Sequence, residues 1–159
     1  HRTPRRLSAE LLLDAVNAVT ESSEKFDGVP PGTRAIALPD PTIVSYFLTT
    51  FGRPLRNSPC ECARGSSPDL SQTLHMVNSQ AMHQKVVNEQ GRIARLLKSN
   101  RSDDEIAGEL YLAAFSRQPT DVERNELKQL LADSAPPDRA ATWQDILWAL
   151  LNSAEFSYR

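Results

Sequence analysis

Apolar side chains return at three- and four-residue spacing in one segment after another, and a chain patterned this way is committed to helices. The first such segment follows Ser8, a residue type that caps helices by accepting a hydrogen bond from the first turn. Leu12, Val16 and Val19 fall at i, i+4 and i+7, flanked by Leu11 and Ala15, with Glu10, Asp14, Asn17 and Glu21 as the opposite stripe. One apolar and one polar face is what a surface helix with a single buried side requires. Glu10 and Asp14 also have the one-turn spacing that acid–base pairs use. On the wet side of a helix they read instead as solvated carboxylates, or as partners for Arg5 and Arg6.

The same pattern continues to the C-terminus. Asp40-Pro41 has the residue types of an N-cap and first helical position, and the predicted helix runs through Ile43, Val44, Phe47, Leu48 and Phe51 to Gly52. Ser67-Pro68-Asp69 opens a helix with Leu70, Leu74 and Val77, and a break near Asn78-Ser79 leads to a short one through Met82 and Val86. Gly91 separates this from Ile93, Leu96 and Leu97. Ser102 with Glu105 forms a capping box, in which each side chain satisfies an orphan backbone donor of the other. It starts a helix with Ile106, Leu110, Ala114 and Phe115, and Thr120 with Glu123 repeats the device after Pro119. Beyond Pro136-Pro137, Thr142 is the predicted cap of a last helix with Trp143, Ile146, Leu147, Leu150 and Ala154 on one side and Trp148 and Leu151 on another. Being apolar nearly all round, that helix belongs at the centre of the core. The fold class is therefore all-α: one helical domain over residues 1–159, of about seven to nine helices.

Two stretches break the helical period. Residues 22–39 hold Asp27-Gly28 and Pro30-Pro31-Gly32, with Thr33 to Leu38 as a short extended piece before Pro39. Residues 52–66 carry both cysteines, Cys60 and Cys62, among Arg53, Arg56 and Arg64. Long irregular loops in a compact domain are often functional. His75 and His83 can complete a Cys2His2 zinc site in three dimensions, although Cys-x-Cys with distant histidines is not a standard spacing. Unbridged structural thiols and a strained short-range disulfide remain open beside it. Without Cys-x-x-Cys-His, the segment does not attach a c-type haem in the usual way. Arg53, Arg56 and Arg64, with Arg34 of the other loop, have the makings of an anion pocket or of a device that activates a thiolate. The alternative is that they pair with Glu61, Asp40 or the acidic C-terminal third.

The charge balance narrows the field. A net charge of −2 and a pI near 5.9 argue against a nucleic-acid binder, since phosphate affinity needs a surplus of basic groups. Residues 101–159 carry six basic and eleven acidic side chains, so that third is an acidic surface. Arginines number 14 against four lysines, a bias suited to bidentate pairing with carboxylates. No apolar run is long enough for membrane insertion. No phosphate loop, nucleophile elbow or His-Glu-x-x-His is present, which leaves no complete catalytic constellation. The opening, His1-Arg2-Thr3-Pro4-Arg5-Arg6, reads as a cut within a longer protein, making this a C-terminal fragment.

Several stretches together carry a resemblance: Arg5-Arg6-Leu7-Ser8-Ala9-Glu10, Phe51-Gly52-Arg53-Pro54, Cys60-Glu61-Cys62-Ala63-Arg64, Gln72-Thr73-Leu74-His75-Met76-Val77-Asn78, Glu109-Leu110-Tyr111-Leu112-Ala113 with Arg117-Gln118-Pro119-Thr120, and Leu150-Leu151-Asn152-Ser153-Ala154-Glu155-Phe156. In order and spacing the set resembles the C-terminal domain of unknown function of large planctomycete cytochrome c-like proteins. The resemblance implies a periplasmic or cell-surface parent, with haem only in another region of it and a neighbouring domain of the same chain as partner. It carries no catalytic residues. The functional expectation is a non-enzymatic accessory or interaction module. Two alternatives stand beside it: a metal or redox site on Cys60, Cys62 and His75, and an enzyme pocket with an anion site lined by Arg34, Arg53, Arg56 and Arg64.

Overall fold

The computed structural model describes residues 6–39, 43–53, 79–99, 101–133 and 138–158. These form eight α-helices: α1 Ala9–Thr20, α2 Tyr46–Thr50, α3 Gln80–Val86, α4 Arg92–Lys98, α5 Asp103–Phe115, α6 Asp121–Asp133, α7 Arg139–Leu151 and α8 Ala154–Ser157. The fold is all-α. Among the described residues the nearest thing to a sheet is an isolated antiparallel bridge between Arg6 and Tyr158. There the Leu7 N–H donates to the Ser157 carbonyl at 3.0 Å, bringing the two ends of the described chain together.

Two helices organise the packing. α1 touches α2, α3, α4 and α5, while α7 touches α3, α4, α5, α6 and α8, so α3 to α5 meet both. Leu12, Leu13 and Val16 of α1, Leu96 of α4, Leu110 of α5, and Trp143, Leu147 and Leu151 of α7 are all essentially out of solvent. α7 thus holds the central place its composition predicts, with Trp143 fully buried and Trp148 partly so.

Helix starts follow local chemistry. Ser8 accepts from the Leu11 N–H, Ser79 from Met82, and Ser153 from Phe156, each satisfying a donor that the first turn leaves orphaned. Both predicted capping boxes are present. Glu105 accepts from the Ser102 N–H at 2.8 Å, and Glu123 from the Thr120 N–H at 2.7 Å.

Four boundaries differ from expectation. α2 begins at Tyr46 with Ser45 as its cap, not at Asp40-Pro41. Ser45 sits where its hydroxyl reaches the Leu48 N–H at 3.3 Å. The extended piece over Thr33 to Leu38 is instead a single 3-10 turn, Ala35–Ala37. The carboxylate of Asp14 captures the Ala35 and Ile36 N–H groups and bends the backbone around it. Thr142 lies inside α7, where its hydroxyl donates to the Asp138 carbonyl at 3.1 Å. Finally, the last helix breaks at Asn152, whose side-chain amide donates to the Trp148 carbonyl, and Ser153 starts α8 afresh. The predicted helix over Leu70, Leu74 and Val77 lies outside the described residues.

Candidate functional site

The first two members of the polar stripe of α1 are not solvated. Glu10 is 8% exposed and Asp14 9%. Buried carboxylates need charge-assisted partners, and the loops supply them. Asp14 accepts from the Ala35 N–H at 2.7 Å and the Ile36 N–H at 3.2 Å, and lies 3.4 Å from the Arg34 guanidinium. One turn earlier, Glu10 faces Arg53 at 3.9 Å, with both side chains almost out of water. A first-turn carboxylate is also favoured by the positive end of the helix dipole.

Two of the four candidate arginines are therefore gathered on adjacent turns of α1, each opposite a carboxylate. Among the described residues Arg34 lies beside Asp14 and Arg53 beside Glu10, while Asp40 and Glu61 lie outside the described residues. Arg34 keeps most of its side chain in solvent, while Arg53 is 9% exposed. Arg56, Arg64, Cys60, Cys62 and His75 lie outside the described residues. His83 projects from α3 into solvent, and no group of three or more His, Cys, Asp or Glu side chains with metal-binding geometry occurs among the described residues.

Two further ionic centres knit the helices together. At the end of α1, Arg92 donates to the Val19 and Ala18 carbonyls at 2.7 and 3.1 Å, satisfying acceptors that the last turn leaves open. The same guanidinium reaches Glu109 of α5 at 3.0 Å, and Arg95 bridges Glu21 and Glu109. Arg101 also pairs with Glu109. Burial alone would raise the Glu109 pKa, but the Arg95 hydrogen bond and the charges of Arg95, Arg101 and Arg92 outweigh it and hold the carboxyl below its usual value. Glu21 is lowered chiefly by its hydrogen bond from Arg95.

The second centre is Arg117. It donates to both oxygens of Glu123 at 2.8 and 2.9 Å and to both of Glu155 at 2.7 and 2.8 Å. Its guanidinium also lies 5.5 and 5.3 Å from the ring centres of Tyr111 and Phe115, a cation–π distance. The Arg117 hydrogen bond is the main cause that holds Glu123 down to about 2, with the Thr120 capping bonds adding to it.

Beside that centre a groove of about 340 Å³ opens between α6 and α7 and reaches Tyr111 of α5. Leu127, Leu130 and Ile146 line it together with Glu126 and Asp145. Sequence reading missed it, because its two walls lie on separate helices and neither helix face alone announces a cavity. Besides the buried Leu127 and Leu131, α6 carries Val122 and Leu130, 67% and 55% exposed, of which Leu130 lines the groove.

A family model described as PSD1, protein of unknown function (DUF1553), matches residues 1–131. The chain belongs to that family. The PSD1 match takes in both α1 carboxylates, Arg34, Arg53 and the Arg92–Glu109 centre, and ends within α6. The expected kinship with a domain of unknown function holds at that level. α7, with the buried Trp143, lies beyond the PSD1 match. No curated protein and no solved structure matches the chain.

Among the described residues, no helix is long and apolar enough to cross a membrane.

Proposed function

We propose that this PSD1 chain is a non-enzymatic interaction module that packs against a neighbouring domain of the same parent chain. The observation that supports the reading is apolar surface gathered around the first half of α1. Leu11 of α1, Ile36 of the 3-10 turn, and Val44 and Tyr46 at the start of α2 are 39%, 51%, 89% and 74% exposed. The turn and α2 both pack on α1, so these side chains come from elements that adjoin one another through α1. Exposed apolar surface of this kind marks places where another protein surface sits. The parent, on the resemblance above, is an exported cytochrome c-like protein, and the module works in the periplasm or at the cell surface. Any haem belongs to another region of that parent.

The test replaces Ile36, Val44 and Tyr46 by Ser in the parent protein. Expected is faster proteolytic cleavage between this module and its neighbour, with the helical circular dichroism of the module intact. Unchanged protection of that junction would remove the reading.

A further inference from the structure

The groove between α6 and α7 has a chemistry that nothing above uses. Its floor is hydrocarbon, from Leu127, Leu130 and Ile146, and its rim carries Glu123, Glu126 and Asp145 with no cation in the lining. Arg117 neutralises Glu123. Glu126 and Asp145 have no cation partner among the described residues, so the groove is left with an uncompensated negative charge. Tyr111 adds an independent observation. It lines the groove, is 6% exposed, and its hydroxyl makes no hydrogen bond among the described residues. The ring is buried, but the oxygen is not among the buried atoms that lack a partner, so it opens onto the groove as an acceptor. Burial, followed by the charge of Glu123, raises the phenol pKa, so the hydroxyl stays protonated and available.

We propose that this groove binds a small amphipathic organic cation, an ammonium group carried on a compact hydrocarbon or aromatic body. The body lies on Leu127, Leu130 and Ile146. The ammonium sits between Glu126 and Asp145, and the Tyr111 hydroxyl oxygen accepts one of its N–H bonds. Size favours a small molecule over an extended chain. The volume is near the lower end for ligand pockets, and Glu123 to Leu130 spans two turns, about 10 Å of helix. The site is separate from the apolar surface around α1, so it stands or falls independently of the docking role.

The probe is 2-phenylethylammonium, titrated into the chain by calorimetry and followed by amide chemical shifts. Saturable binding is expected, with the largest shifts at Tyr111, Leu127 and Ile146. The uncharged 2-phenylethanol and the anionic 3-phenylpropionate should bind about tenfold more weakly or worse, the size set by two partly exposed ion pairs. The double variant Glu126→Gln, Asp145→Asn keeps shape and removes charge at exposed positions, so folding is not at risk. It should lose about tenfold in affinity for the ammonium and nothing for the alcohol. Tyr111→Phe, which keeps the ring, should lose about threefold. Equal affinity for ammonium and alcohol, an unaffected double variant, or no saturable binding at all would each overturn the proposal.

Discussion

Two glycines in this chain meet the same distance and should respond in opposite directions when a methyl group is added. Gly91 precedes α4 with φ −81°, a backbone that alanine adopts freely. In open space Gly→Ala would stabilise by about 0.4–1 kcal/mol, because the unfolded chain loses freedom. Here the new Cβ would lie 2.9 Å from the Thr20 carbonyl oxygen and 3.1 Å from that of Asn88. Both are backbone atoms. The Thr20 carbonyl closes α1, whose last turn is pinned by Arg92 on the Val19 and Ala18 carbonyls, so it has little room to retreat. Overpacking of this kind costs about 1–3 kcal/mol, and a net loss of about 1–2 kcal/mol remains. For a domain of this length, that lowers Tm by about 2–8 °C. Gly108, inside α5, would place its Cβ 2.9 Å from Gln118 Oε1. That atom ends an exposed, flexible side chain, held only by a 3.4 Å contact with Arg124. It swings aside, and the helix gains most of the roughly 1 kcal/mol by which alanine exceeds glycine. Thermal unfolding of Gly91→Ala and Gly108→Ala, followed by circular dichroism in one buffer, decides the matter. A Gly91→Ala protein that melts at or above the parent temperature would refute the close-approach argument, and so would a Gly108→Ala protein that melts below it.

Asp14→Ala strands the Ala35 and Ile36 N–H groups and should cost about 1–3 kcal/mol. Amide exchange at those two residues should accelerate, while Asp14→Asn, which keeps one acceptor, falls between; unchanged exchange would show that the 3-10 turn holds itself. Glu21, Glu109, Glu155 and Glu123 all have folded pKa values below the ordinary carboxylate range, that of Glu123 at about 2. Their contribution to stability is therefore complete above the unfolded value near 4.5 and is lost as pH falls toward 2. Tm should drop through that window, and Arg117→Gln should flatten the drop; an equally steep profile in the variant would sink the assignment. Trp143 is fully buried and its indole N–H has no hydrogen-bond partner among the described residues, so replacing it by Phe removes an unpaired donor together with some volume. Trp143→Phe should cost under about 1.5 kcal/mol and Trp143→Ala about 3–5 by urea unfolding; equal costs would mean that the indole N–H makes a bond after all.

What could be read from the sequence depended on how far apart the interacting residues lie. The caps at Ser8, Ser102 with Glu105, and Thr120 with Glu123 are signals that span three residues, and all three stand where expected. The central place of α7 was legible because its apolar residues cover almost the whole helix. Thr33 to Leu38 was misread because nothing nearby makes it turn. The Asp14 carboxylate that bends it lies 21 residues back. The expectation that Glu10 and Asp14 are solvated fails for the same reason, since Arg53 and Arg34, which lie beside them, come from distant loops. Tyr111, Glu126 and Asp145 were invisible as a group, because each sits on a different helix.

The arginine excess makes an anion pocket a reasonable expectation, and most of the arginines that the structure describes stand beside carboxylates. Glu109 receives Arg92, Arg95 and Arg101 at once, and Arg117 grips Glu123 and Glu155 while stacking on two rings. Arg124 and Arg139 pair with Asp104 and Asp103 in the first turn of α5. A planar fork can serve two carboxylates and an aromatic face together, which a lysine ammonium cannot. These guanidinium groups are therefore engaged as ties between elements, several of them still half exposed. In the C-terminal third acids outnumber bases eleven to six, so once the ties are made some carboxylates are left over. Two of them, Glu126 and Asp145, flank the α6–α7 groove. A chain rich in arginine thus leaves, beside its apolar groove, two carboxylates without a cation among the described residues.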